Sequence, residues 1–160
     1  MPVESINRKR ERMARVVSML KKEYPDAHCS LHYNSSFQLL LATILSAQCT
    51  DERVNKVTKR LFAKYPTAYD FAELSIDIIK KEIYSTGFYN NKAKSIKGMA
   101  LEIVNRYNGK LPISIDKLVK LPGVGRKTAN VVLGNVYDIP SLVVDTHVTR
   151  ISNLLKFVND

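Results

Sequence analysis

Apolar residues recur at helical spacing along almost the whole chain, and Gly, Pro and small polar residues punctuate the gaps. Residues 5–23 place Ile6, Met13, Val16, Val17 and Leu20 on one face, and Pro25 closes that helix. Ser35 or Ser36 then caps a far more apolar helix through Leu39, Leu40, Ile44 and Leu45, which belongs at the centre of a core. Asp51 is placed to cap the next helix, with Val54, Val57, Leu61 and Phe62 facing inward, and Pro66 marks its end. Two short helices follow near 67–73 and 75–85, the second carrying Ile76, Ile79 and Ile83, before Gly87 breaks the pattern. Asn91–Tyr107 make a helix on Ile96, Met99, Ala100, Ile103 and Val104, ended by Asn108-Gly109. Ser114 caps a short helix ending at Leu121, Arg126–Tyr137 form another, residues 140–144 are extended, and Asp145 caps a last helix with Val148, Ile151, Leu154 and Leu155. No segment sustains a period of two, so the fold class is all-α, with about nine helices joined by short loops.

Composition narrows the partners. The chain has 160 residues, a formal net charge of +10 and 45% hydrophobic residues, which describes a globular domain suited to a polyanion. The charge clusters: residues 1–24 hold seven Lys/Arg against three Glu, and residues 106–128 hold six against Asp116. A membrane is the competing polyanionic surface, but the chain has no Trp-bearing basic helix, and its most apolar stretch, 31–50, contains Asn34, Ser35, Ser36, Gln38 and Gln48. Two cysteines, Cys29 and Cys49, are too few and too far apart for a Cys-only metal site, and without a secretory signal buried free thiols are expected. His28, His32 and His147 have no metal-ligand spacing.

One stretch concentrates the chemistry: Leu121-Pro122-Gly123-Val124-Gly125-Arg126-Lys127-Thr128. A short helix, a two-glycine turn and a second helix make a helix-hairpin-helix over residues 114–137. Gly123 and Gly125 permit unusual dihedrals and close approach of another backbone, and Val124 between them plugs into the core. Amides at 125–127 then face outward at a helix N-terminus, where they hold a phosphate. Lys127 is either a phosphate contact or a nucleophile. A free lysine has a pKa of about 10.4 and attacks carbon only when neutral; partial burial, the helix N-terminus and Arg126 all favour the neutral amine. Spacing alone leaves both roles open. Asp145 lies one helix and an extended return later; as a helix cap its carboxylate stays ionised, and an ionised carboxylate stabilises an oxocarbenium-like sugar.

These residues resemble the endonuclease III family of helix-hairpin-helix DNA glycosylases. The resemblance runs through Leu45-Ser46-Ala47-Gln48-Cys49-Thr50-Asp51, Gly87-Phe88-Tyr89-Asn90-Asn91-Lys92-Ala93, Leu121–Val132 and Val144-Asp145-Thr146-His147, in the family's order. It implies a six-helix barrel domain over 31–140, and a second, discontinuous helical domain begun by residues 1–30 and resumed at 141–160. It also implies base excision repair: removal of oxidised pyrimidines, then cleavage of the strand at the abasic site by β-elimination. Lys127 falls on the family's Schiff-base lysine and Asp145 on its catalytic aspartate. Adenine-mismatch relatives usually carry Ser at the lysine position, so Lys127 favours lyase activity. Gly123, Val124, Gly125, Arg126 and Thr128 fall on the DNA-gripping hairpin. Gln48 and Phe88 fall on two loops that fill the gap left by a flipped base, although the family often has Leu where this chain has Phe88; helix capping and core packing are the structural alternatives for these two.

The implied partner is duplex DNA with damaged bases or abasic sites, bound by a monomer in the cytoplasm. The family's [4Fe-4S] cluster, held by four closely spaced cysteines near the C-terminus, has no counterpart here, so no cofactor is expected in this chain. The stop at Asp160 predicts a partial chain, with apolar surface exposed around residues 5–23 and 146–158.

Overall fold

The computed structural model describes residues 4–158, whose regular structure is α-helices and one 3-10 turn. The order is α1 (Ile6–Glu23), α2 (Ser36–Ser46), α3 (Asp51–Lys64), α4 (Ala68–Glu73), α5 (Ile76–Ile83), a 3-10 turn (Tyr84–Thr86), α6 (Tyr89–Tyr107), α7 (Ile115–Leu118), α8 (Arg126–Val136) and α9 (Thr146–Leu154). The fold is all-α. None of the described helices is long and apolar enough to cross a membrane.

Backbone contacts divide the chain into two units. The larger, Cys29–Val143, is organised on α2. Leu39, Leu40, Leu41, Ala42 and Leu45 are fully buried, so this helix is apolar on all sides and needs neighbours on all sides. α3, α6 and α8 supply them, and α6 in turn packs on α4 and α5. Each buried leucine stabilises the unit by about 2 kcal/mol. Phe71 of α4 stands 5.6 Å from Phe37 and 6.1 Å from Tyr65, extending the core beyond α2.

Local signals set most helix starts. The Ser35 hydroxyl accepts from the Gln38 N–H and opens α2. Ser75 does the same for α5, and Thr67 with Asp70 forms a reciprocal capping box on α4. Three expected boundaries differ, and Ser114, expected to cap α7, occupies the cap position without a side-chain bond to the helix. α3 is capped by Thr50, not Asp51: Asp51 is the first helical residue, and its carboxylate accepts from the Ser30 hydroxyl. α6 begins at Tyr89 rather than Asn91, because Phe88 adopts φ +47° and its carbonyl accepts from both Asn91 and Lys92 N–H. α7 ends at Leu118; residues up to Leu121 are a turn.

The smaller unit holds the described residues up to His28 and from Val144 onward. Arg12 organises it: Nη1 donates to the Leu155 carbonyl at 2.5 Å, the guanidinium lies 4.5 Å from the Phe157 ring centroid, and Nη2 pairs with Glu4 at 2.8 Å. The apolar surface expected around residues 5–23 and 146–158 is found here. Neither α1 nor α9 has a buried residue, and Ile6, Met13, Val17, Leu20, Ile151 and Leu154 are all exposed. The amphipathic pattern is present in these helices, but the described residues do not cover it.

Candidate functional site

The hairpin is built around Val124. Its side chain is 5% exposed and packs with Leu118 and Leu121, while its N–H donates to the Leu121 carbonyl at 3.1 Å and closes the turn. Gly123 has φ +75°, and a Cβ there would sit 2.5 Å from Ser95 Cβ on α6. This position therefore needs glycine twice, for conformation and for contact.

Gly125 differs from the sequence expectation. Its φ of −89° is ordinary, and a Cβ there would meet nothing within 4 Å. What glycine does here is leave the start of α8 uncovered. α1, α2, α3, α4, α5 and α9 are each capped by a Ser, Thr or Asp side chain; α6, α7 and α8 are not, and of these three α8 alone starts from a glycine, Gly125. The first helical bond runs from Ala129 N–H to the Gly125 carbonyl, so the amides of Arg126, Lys127 and Thr128 have no partner within the helix. Arg126 and Lys127 are both exposed in that first turn, where the helix dipole disfavours cations. A bound anion reconciles the open amides with the two positive side chains.

Lys127 is exposed, so the partial burial expected for it is not supplied by this chain. Asp145 accepts from the Val148 N–H through Oδ1 at 2.8 Å, the capping role read from its position. Lys127 belongs to the larger unit and Asp145 to the smaller.

The two candidate wedge residues stand out geometrically. Gln48 follows α2 with φ +53° and is exposed. Phe88 has φ +47° and is 65% exposed, which excludes core packing as its role. Both are non-glycine residues in the left-handed region, an arrangement that costs energy and concentrates at functional loops.

Two residues gain a role that the sequence alone did not assign them. Asn130 donates through Nδ2 to the Leu142 carbonyl at 2.8 Å, and its own carbonyl accepts from the Ser141 hydroxyl at 2.9 Å, tethering the extended return to α8. Lys92 is 6% exposed and donates through Nζ to the Leu45 carbonyl at 2.7 Å and the Thr86 carbonyl at 2.8 Å. Burial pushes its pKa below the usual lysine value, opposed by the nearby Cys49. The signal for Lys92 was available: it shares the apolar stripe of Ile96, Met99 and Ile103.

The chain's two cysteines, Cys29 and Cys49, are free but only half-buried rather than buried as expected, and two thiols do not provide the four thiolates a [4Fe-4S] cluster requires. Among the described residues, no group of three or more His, Cys, Asp or Glu side chains is placed to hold a metal ion.

Comparison with known proteins agrees with this architecture. The profile of the HhH-GPD superfamily base excision DNA repair proteins matches residues 41–160. Endonuclease III of Synechocystis sp. is 51% identical over 148 residues, 92% of this chain and 68% of that protein. Endonuclease III of Bacillus subtilis is 47% identical over 132 residues, 82% of this chain and 60% of that protein. The chain thus spans roughly two thirds of the length of such relatives. A non-covalent endonuclease III–DNA complex superposes with a TM-score of 0.88 at 46% identity, covering 93% of this chain and 70% of that one. A trapped endonuclease III–DNA covalent intermediate superposes at 0.89, with the same identity and coverage. By profile, sequence and fold together, the chain belongs to the HhH-GPD superfamily of base excision DNA repair proteins and, within it, to the endonuclease III family.

Proposed function

We propose that this protein is a bifunctional DNA glycosylase of base excision repair. It excises oxidised pyrimidines from duplex DNA and cleaves the strand 3′ to the abasic site by β-elimination. The observation that carries this reading is the uncapped N-terminus of α8, which offers open amides beside Arg126 and Lys127. Endonuclease III relatives seen with DNA support the same partner.

The hairpin amides, with Thr128 in the same first turn, grip a backbone phosphate and set the strand's register. DNA laid over the turn covers Lys127 and excludes water, supplying the desolvation that the fold itself does not. Lys127 Nζ then bonds to the sugar C1′ as the glycosidic bond breaks, and the bonding pair leaves with the base. Asp145 stabilises the positive charge that develops on the sugar ring. Nζ then gives one proton to the departed base, and opening of the C1′–O4′ bond, with O4′ taking a proton from water, gives an iminium. Loss of a C2′ proton then expels the 3′ oxygen with its phosphate, and water releases the lysine. Gln48 and Phe88 fill the space left by the extruded nucleotide.

Borohydride reduction tests the covalent step. Incubation with thymine-glycol duplex and borohydride should trap a protein–DNA adduct, and Lys127→Gln should abolish it, with strand cleavage falling by roughly 1,000-fold or more. DNA binding by the wild-type chain without trapping would identify a non-catalytic hairpin module instead.

A further inference from the structure

We infer that Lys92 is the positioning residue that clasps the two base-replacing loops into one unit. This rests on the role proposed above for Gln48 and Phe88. The Leu45 carbonyl lies in the last turn of α2, three residues before Gln48; the Thr86 carbonyl ends the 3-10 turn, two residues before Phe88. Both are terminal helix carbonyls, which lack a partner within their own helix and carry the negative end of its dipole. One buried ammonium bonds to both. The backbone of the same residue completes the clasp, since the Lys92 N–H donates to the Phe88 carbonyl at 3.1 Å.

The energetics favour a positioning role over a purely stabilising one. Burying an ammonium opposes folding unless its donors are satisfied, and an apolar side chain on the stripe of Ile96 and Met99 would fill the same space without that cost. What an apolar residue cannot do is hold two carbonyls from separate segments at one point. Gln48 and Phe88 sit at strained, positive φ on short tethers from those carbonyls, so the clasp fixes the distance between the tethers. The loops then enter the duplex together rather than one at a time, which concentrates their filling of the gap on a single geometry.

The test uses a duplex carrying a tetrahydrofuran abasic analogue opposite 2-aminopurine, whose fluorescence rises when the base is unstacked. At saturating protein, Lys92→Met should reduce that rise by about half or more, while affinity for undamaged duplex stays within about twofold, since Lys92 itself is buried away from phosphate. Lys92→Arg, which keeps donors for both carbonyls, should restore most of the rise. Adding Gln48→Ala to Lys92→Met should cost less than Gln48→Ala alone. A full rise with Lys92→Met, multiplicative effects in the double variant, or equal losses on damaged and undamaged duplex would overturn the clasp. No rise with the wild-type protein would instead refute the glycosylase reading.

If Lys92→Met does not fold, the side-chain ammonium resonance of Lys92 in the 15N-lysine-labelled wild-type protein decides. It should shift on binding the abasic duplex, and in the free protein on Phe88→Ala and on Gln48→Ala; a resonance indifferent to all three overturns the proposal.

Discussion

Two helix starts in this protein solve the same problem in opposite ways. α9 begins at Asp145, whose carboxylate takes the Val148 N–H; α8 begins at Gly125, and no side chain takes its first amides. Both are N-termini with the same orphan donors and the same dipole. The first is closed by its own sequence. The second is left open and is loaded with Arg126 and Lys127, which the dipole disfavours. Capping favours stability, and an open, positively charged start favours an external anion. Under the proposed function the open start of α8 is the binding end, and a glycine with unstrained dihedrals at its cap leaves it uncovered.

Substitutions at three positions can break or sharpen this contrast. The largest expected effect is at Gly123, where φ is +75° and a Cβ would meet Ser95. Gly123→Ala should cost about 3 kcal/mol from the conformational and steric terms together, read as a drop in thermal midpoint; an unchanged midpoint would mean the hairpin can shift off α6. Next is Gly125→Asp, which gives α8 the cap that α9 has, in open space and at compatible dihedrals. It should raise stability by about 0.5 kcal/mol while weakening affinity for duplex DNA by roughly tenfold or more, because a carboxylate occupies the anion's place. Retained affinity would show that the α8 amides do not hold phosphate. The smallest effects are at Asp145. Asp145→Ala should cost about 1 kcal/mol of stability as a lost cap, whereas Asp145→Asn keeps the cap and should change the thermal midpoint little. If Asp145→Asn nevertheless lowers base excision more than abasic-strand cleavage, the carboxylate acts in chemistry as well as in capping; equal loss of both activities would count against that assignment.

Much of this molecule is legible in its residues because its signals are local. Ser35 and Asp145 each cap the helix they precede as read, Ser114 precedes α7 without a side-chain cap bond, and the apolar runs of α2 and α6 lie in the core. Where local signals compete, the reading slips. Thr50 and Asp51 are both good caps, and only the Ser30 hydroxyl, twenty-one residues upstream of Asp51, engages that carboxylate elsewhere. Gly87 reads as a helix break, but the backbone at Phe88 starts α6 two residues early. The stripe of α1 reads as apolar from its periodicity and stays exposed among the described residues, as expected for this segment.

The sequence by itself determined the helical class, the hairpin and the identity of Lys127 and Asp145 as candidates, because these depend on spacing within one or two turns and on motif chemistry. Only the tertiary structure decided which glycine is required by packing and which is required by openness, since Gly123 meets α6 across a non-local contact and Gly125 meets nothing. It alone decided that Phe88 is exposed and that Lys92 joins two carbonyls forty-one residues apart. Contacts of that kind are set by where the chain returns in space, and no window of sequence contains both partners.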